Sequence, residues 1–101
     1  MAMFEETAKK WIDDMLRDGK LKGIGEGALK QLAADYAGRL EKIFHEEVSK
    51  QLALWGKAEE FERILLYDGQ YVNKYLNQTI PGYQGFKTDI FNNAKKIIMG
   101  D

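Results

Sequence analysis

The sequence predicts an all-α chain, a single-domain helical bundle of about five helices organised around one long central helix. Three observations predict it. Between Glu26 and about Trp55 no proline occurs, and Leu29, Leu32, Ala33, Tyr36, Leu40, Ile43, Phe44, Val48 and Leu52 recur at helical spacing, the signature of one buried face. Shorter segments on either side keep the same period and are divided by glycines, which punctuate helices. No segment shows the apolar–polar alternation of a strand between hairpin turns. With 101 residues, 45% of them hydrophobic and 31% charged, the chain can build one modest core.

The elements follow in order. Helix one is expected over Met3 to Arg17, with Phe4, Ala8, Trp11, Ile12, Met15 and Leu16 on one face. Glu5 and Glu6 near its start and Arg17 near its end complement the helix dipole. Asp18-Gly19 ends it, glycine suiting the left-handed residue after a helix. The loop Gly19 to Gly27 holds Leu21 and Ile24, both expected to pin it to the core. The long helix follows and stops at Trp55-Gly56. At about 1.5 Å per residue it reaches about 45 Å, against a radius of gyration of about 13 Å for a chain of this size. Such a helix is expected to kink, carry a partner, or form the spine of an elongated bundle. Helix three spans about Lys57 to Tyr67, with Phe61, Ile64 and Leu65 inward, up to a break at Asp68-Gly69. Helix four spans about Gln70 to Asn77 and presents Tyr71, Val72, Tyr75 and Leu76. Ile80-Pro81-Gly82 turns the chain, because the residue before proline is driven out of the helical region. Helix five, about Gln84 to Met99, is expected to bury Phe86, Ile90, Phe91, Ala94, Ile97 and Ile98.

Composition removes several function classes. There is no cysteine, hence no disulfide, thiolate nucleophile or Cys-based metal centre. No apolar run approaches the roughly 20 residues that span a bilayer, and the N-terminus is acidic where a secretory signal is basic. Met1-Ala2 reads as an expression scar ahead of a native Met3, and a cytoplasmic location with no membrane partner is expected. The net charge is −1. Nine basic and ten acidic residues precede position 51 and six of each follow, so no basic stripe marks a nucleic-acid surface.

Motifs for chemistry are wanting. The single histidine, His45, lies in Glu41-Lys42-Ile43-Phe44-His45-Glu46-Glu47. A zinc-protease motif needs a second histidine where Ser49 stands, and a di-iron bundle needs Glu-x-x-His on two helices. A Glu41–His45 hydrogen bond at the surface is the expected use. Gly23-Ile24-Gly25-Glu26-Gly27 lacks the preceding strand and glycine spacing of a nucleotide loop, so it is read as a connector. Asp13-Asp14, Glu46-Glu47 and Glu59-Glu60 are adjacent on helices, and their side chains diverge by about 100°. No catalytic, cofactor-binding or metal-binding residue is assigned, and no enzyme is expected.

Two surfaces invite a partner. Ala33, Ala34, Ala37 and Gly38 place small side chains mid-helix, where glycine costs roughly 1 kcal/mol against alanine. Either Trp11 or Phe91 packs there, or a second copy of the helix does. At the end of the long helix, Leu52, Leu54 and Trp55 spread over more than one face. The candidate interaction surface is therefore Ala34, Ala37, Gly38, Leu52, Leu54 and Trp55.

The segment Phe61-Glu62-Arg63-Ile64-Leu65-Leu66-Tyr67-Asp68-Gly69, followed by Tyr75-Leu76 and Ile80-Pro81-Gly82-Tyr83, resembles an uncharacterised family of small helical proteins from candidate-phylum bacteria. In that family a helix with a leucine pair reaches a glycine break, and a short helix ends in Ile-Pro-x-Tyr before a last helix. The resemblance covers about residues 21–99. It implies the helix boundaries and carries no activity and no site residues.

The expected function is a small non-catalytic protein–protein interaction module that self-associates or docks a protein partner along the long helix. Two alternatives belong to other classes. One is a phage-type inhibitor or accessory protein that binds a nucleic-acid enzyme. The other is a weak single-stranded nucleic-acid binder using Tyr67, Tyr71, Tyr75, Lys74 and Lys87, although the charge balance argues against nucleic acid.

Overall fold

Glycine geometry sets where the first two helices stop. Gly19 and Gly56 have φ of 76° and 72°, the left-handed region that other residues enter at a cost of about 1–2 kcal/mol. At the first stop, Lys20 N–H donates to Met15 O at 3.0 Å and Gly19 N–H to Leu16 O at 3.1 Å. At the second, Lys57 N–H donates to Leu52 O at 2.8 Å and Gly56 N–H to Ala53 O at 3.1 Å. Both are Schellman closures, in which nested bonds satisfy carbonyls that a helix end otherwise leaves unpaired.

The computed structural model describes residues 2–67 and 69–100. Asp68 of the expected break and Met1 of the expected scar lie outside them. Five α-helices follow one another: α1 (Ala2–Arg17), α2 (Glu26–Leu54), α3 (Ala58–Tyr67), α4 (Val72–Thr79) and α5 (Tyr83–Met99), with a 3-10 turn at Gly69–Tyr71. No strand occurs among the described residues. The fold is all-α, and α2, 29 residues long, is unbroken through Gly38.

The chain divides into two compact units, Met1–Glu41 and Lys42–Asp101. In the first, α1 buries Phe4, Ala8, Trp11 and Ile12, and α2 buries Tyr36, Ala37 and Leu40. Leu21 is buried and pins the loop as expected. Ile24 is 40% exposed and does not.

In the second unit α2 contributes Phe44, Val48 and Leu52, joined by Phe61, Val72, Leu76, Ile80, Tyr83, Ile90 and Ala94. Aromatic packing ties these helices together. Phe44 meets Phe91 edge-on with centroids 5.9 Å apart, and Phe61 stacks on Tyr75 at 6.4 Å, arrangements worth about 0.5–1.5 kcal/mol beyond area burial. Tyr75 Oη donates to a Glu60 carboxylate oxygen at 3.0 Å, and Tyr83 Oη to Asn73 Oδ1 at 3.2 Å. Ile80, extended at φ −101° and ψ 112°, ends α4 before Pro81, as the proline requires.

Along α2 the fully buried positions are 40, 44, 48 and 52, a strict step of four that Tyr36, also buried, begins. Such a row advances about 40° per step on a helix of 3.6 residues per turn.

Candidate functional site

A groove of about 710 Å³ lies in the first unit between α1 and the opening turns of α2. From α1 it is lined by Phe4, Ile12 and Leu16, spaced so that they project from one side of the helix. From α2 it is lined by Leu29, Ala33, Ala34, Ala37 and Gly38. Charged side chains edge it: Glu5, Lys9 and Asp13 on α1, and Glu26, Lys30 and Glu41 on α2. Four carboxylates face two ammonium groups, so the rim is acidic on balance.

The groove exists because α2 is small here. Three alanines and a glycine carry at most one carbon beyond the backbone. A Cβ built on Gly38 would meet nothing within 4 Å. No described side chain fills the place above Gly38; α1 faces the small residues of α2 through Phe4, Ile12 and Leu16, while Phe91 packs on Phe44 in the second unit. Ala34 and Gly38 are exposed, Ala33 is half-covered, and Ala37 is buried at the groove floor.

The other expected surface is divided. Leu52 is fully buried and belongs to the core of the second unit, which corrects its assignment to a surface. Its neighbours Leu54, 80% exposed, and Trp55, 43% exposed, sit where the helix ends and its covered row has passed. Leu66, Tyr67 and Tyr71 are also exposed. Periodicity gives no cue to Leu66, because Phe61, Ile64 and Leu65 already account for the inward face of α3.

Of the aromatic and basic residues suited to base stacking, Tyr67 and Tyr71 are open to solvent. Tyr75 is engaged by Phe61 and Glu60, and the Lys87 ammonium lies 5.8 Å from the centre of the Tyr83 ring. His45 is half-buried rather than at the surface. Its ring lies 6.1 Å from that of Phe44 and 6.2 Å from that of Phe61, with Nε2 shielded from solvent. Among the described residues no three His, Asp or Glu side chains converge as a metal ion would need, and no helix is long and apolar enough to cross a membrane.

Tyr83 has its phenol pushed up from near 10 to about 12 by burial. Tyr75 is raised as well, by burial first and then by the Glu60 carboxylate beside it. Both belong to the second unit, and neither lines the groove.

The α1 wall of the groove is the part that sequence reasoning missed. Phe4 and Ile12 read as core and Glu5, Lys9 and Asp13 as a solvated face, and both readings hold; what was not foreseen is that these residues edge a groove. The signal available was the spacing of four among Glu5, Lys9 and Asp13, which aligns them along one edge of α1. No family model matches the chain, and neither a curated protein nor a solved structure matches it.

Proposed function

We propose that the chain is a non-catalytic interaction module that receives a helix of a protein partner in the groove between α1 and α2. The observation that carries this reading is the open space above Gly38, beside exposed Ala34 and an apolar wall of Phe4, Ile12 and Leu16. Small residues allow two helix axes to approach closely, and interaxial distance follows the side chains at the contact. Charges along the rim would set the register of an amphipathic helix, whose apolar face would meet the floor. The groove lacks the convergent buried polar groups that orient a small molecule, since no polar or charged residue is buried among those described.

A photo-crosslinking residue placed at Ala34 tests this in the native host, with the same residue at Leu54 as comparison. Specific capture of a protein from position 34, abolished by Gly38→Leu, supports the groove. Capture from position 54 alone moves the surface to the end of α2 and defeats the proposal.

A further inference from the structure

The groove edge on α2 has a symmetry that bears on its occupant. Eight residues of α2 line the groove; six of them, at positions 30, 33, 34, 37, 38 and 41, are Lys, Ala, Ala, Ala, Gly and Glu, and the other two, Glu26 and Leu29, precede that set. The spacing of those six is unchanged when the helix is reversed about the midpoint between Asp35 and Tyr36. Reversal carries Lys30 onto Glu41, Ala33 onto Gly38, and Ala34 onto Ala37. We infer that the occupant is a second copy of this chain, docked antiparallel along α2 about a two-fold axis at that midpoint, with Lys30 of each copy facing Glu41 of the other.

This inference rests on the groove reading above and names its partner. An isologous interface requires that if residue i meets residue j, then j also meets i. Between Lys30 and Glu41 the α2 edge meets that condition in size and in charge: small residues fall on small residues at the centre, and opposite charges fall together at both ends. A foreign helix places no such demand. Lys30 and Glu41 are both exposed, and among the described residues neither has an ion-pair partner in its own chain. Asp35 and Arg39, which lie between them in sequence, already pair with each other at 3.2 Å. From position 30 to position 41 the helix rises about 16 Å, close to three turns. Leu16, 40% exposed, would flank the paired helices, and two α1–α2 hairpins would form a four-helix arrangement. The remaining rim charges, Glu5, Asp13 and Glu26 against Lys9, give each copy an acidic excess. A basic foreign helix would suit that excess but leaves the reversal symmetry without a purpose.

Sedimentation velocity on the full chain tests the inference, run across roughly 1 µM to 1 mM, where interfaces of modest size associate. The set comprises the parent chain, Lys30→Glu, Glu41→Lys, the double variant, and an equimolar mixture of the two single variants. Circular dichroism checks that each remains helical. The parent is expected to dimerise. Either single variant replaces two opposite-charge pairs by two like-charge pairs and weakens association about tenfold. The double variant restores the pairs. The mixture also restores them, because the first variant carries carboxylates at both positions and the second carries ammonium groups at both. A parent that stays monomeric to the top of the range overturns the inference, and so do single variants that associate like the parent or a mixture that fails to recover. A monomer would still leave the groove open to a basic partner helix, which the cross-link from position 34 reports separately.

Discussion

Replacing Gly38 by alanine should make the protein more stable, and the size of the gain follows from the structure. Gly38 lies inside α2 with ordinary helical dihedrals, since it is absent from the glycines of positive φ. A Cβ added there meets nothing within 4 Å. No steric penalty offsets the relief of backbone entropy, so the full propensity difference of about 0.8–1 kcal/mol should be recovered. For a chain of this length that corresponds to a rise of about 4–8 °C in Tm. Gly56→Ala is the internal control. Its Cβ would also meet open space, but φ is 72°, so the substitution should cost about 1 kcal/mol. Urea unfolding followed by circular dichroism at 222 nm measures both, with the unfolding slope checked for constancy. Equal losses in the two variants would refute the reasoning, because they would mean that the space above Gly38 is occupied. The measurement belongs at low protein concentration, where the proposed self-association would contribute least.

Two further outcomes test other parts of the structure. Leu52→Ala should cost about 2–5 kcal/mol, as expected for a fully buried leucine, and Leu54→Ala should stay within about 0.5 kcal/mol, both read from urea midpoints; similar effects at the two positions would contradict the burial of the α2 end. The raised phenol of Tyr83 predicts a loss of stability in alkali. Its unfolded form ionises near pH 10 and its folded form near 12, so the unfolded chain releases its proton first and stability falls as pH rises through that window. Tyr83→Phe removes the bond to Asn73 and should cost about 0.5–1.5 kcal/mol at neutral pH, yet its stability should fall less between pH 10 and 12. A parallel decline in the two proteins would count against a buried phenol, with Tyr75 contributing the same sign in both.

Helix number and most helix limits were legible because they rest on local physics. Gly19 and Gly56 close their helices by backbone conformation alone, and Pro81 forces its predecessor out of the helical region; neither needs knowledge of distant parts of the chain. Burial was legible around each helix but not along it. Ile97 lies at nearly the same angle on α5 as Ile90, about 20° away, and was expected to be inside. Ile90 and Ala94 are buried whereas Ile97 is 70% exposed, because periodicity specifies an angle and says nothing of where the covering ends. For Leu52 the spacing, which put it on the buried face, holds, and its placement on a binding surface does not. Its neighbours Leu54 and Trp55 suggested an open end, but Leu52 continues the step-of-four row from Tyr36, and that row stays covered to its last member. The groove itself was half legible. Small residues on α2 can mean close approach or vacant space, and the choice depends on how far apart two helices are held by residues elsewhere.

An exposed glycine in the middle of a long helix requires an explanation that the isolated fold does not supply. Gly38 lowers helix stability by about 1 kcal/mol relative to alanine, and among the described residues no group uses the space it leaves. Connector glycines such as Gly19 and Gly56 differ, because their dihedrals exclude a side chain at low cost. Exposed Ala34 and half-covered Ala33 extend the same pattern: positions on a groove wall where longer helix formers would deepen the contact with α1 and add stability. Leucine at any of them would bury more apolar area, at about 25 cal/mol per Å², and would close the groove. A chain under pressure for folding alone has no reason to keep that wall low over consecutive turns. A chain that brings a second helix backbone against it does, and the proposed pairing of two α2 helices would supply that backbone.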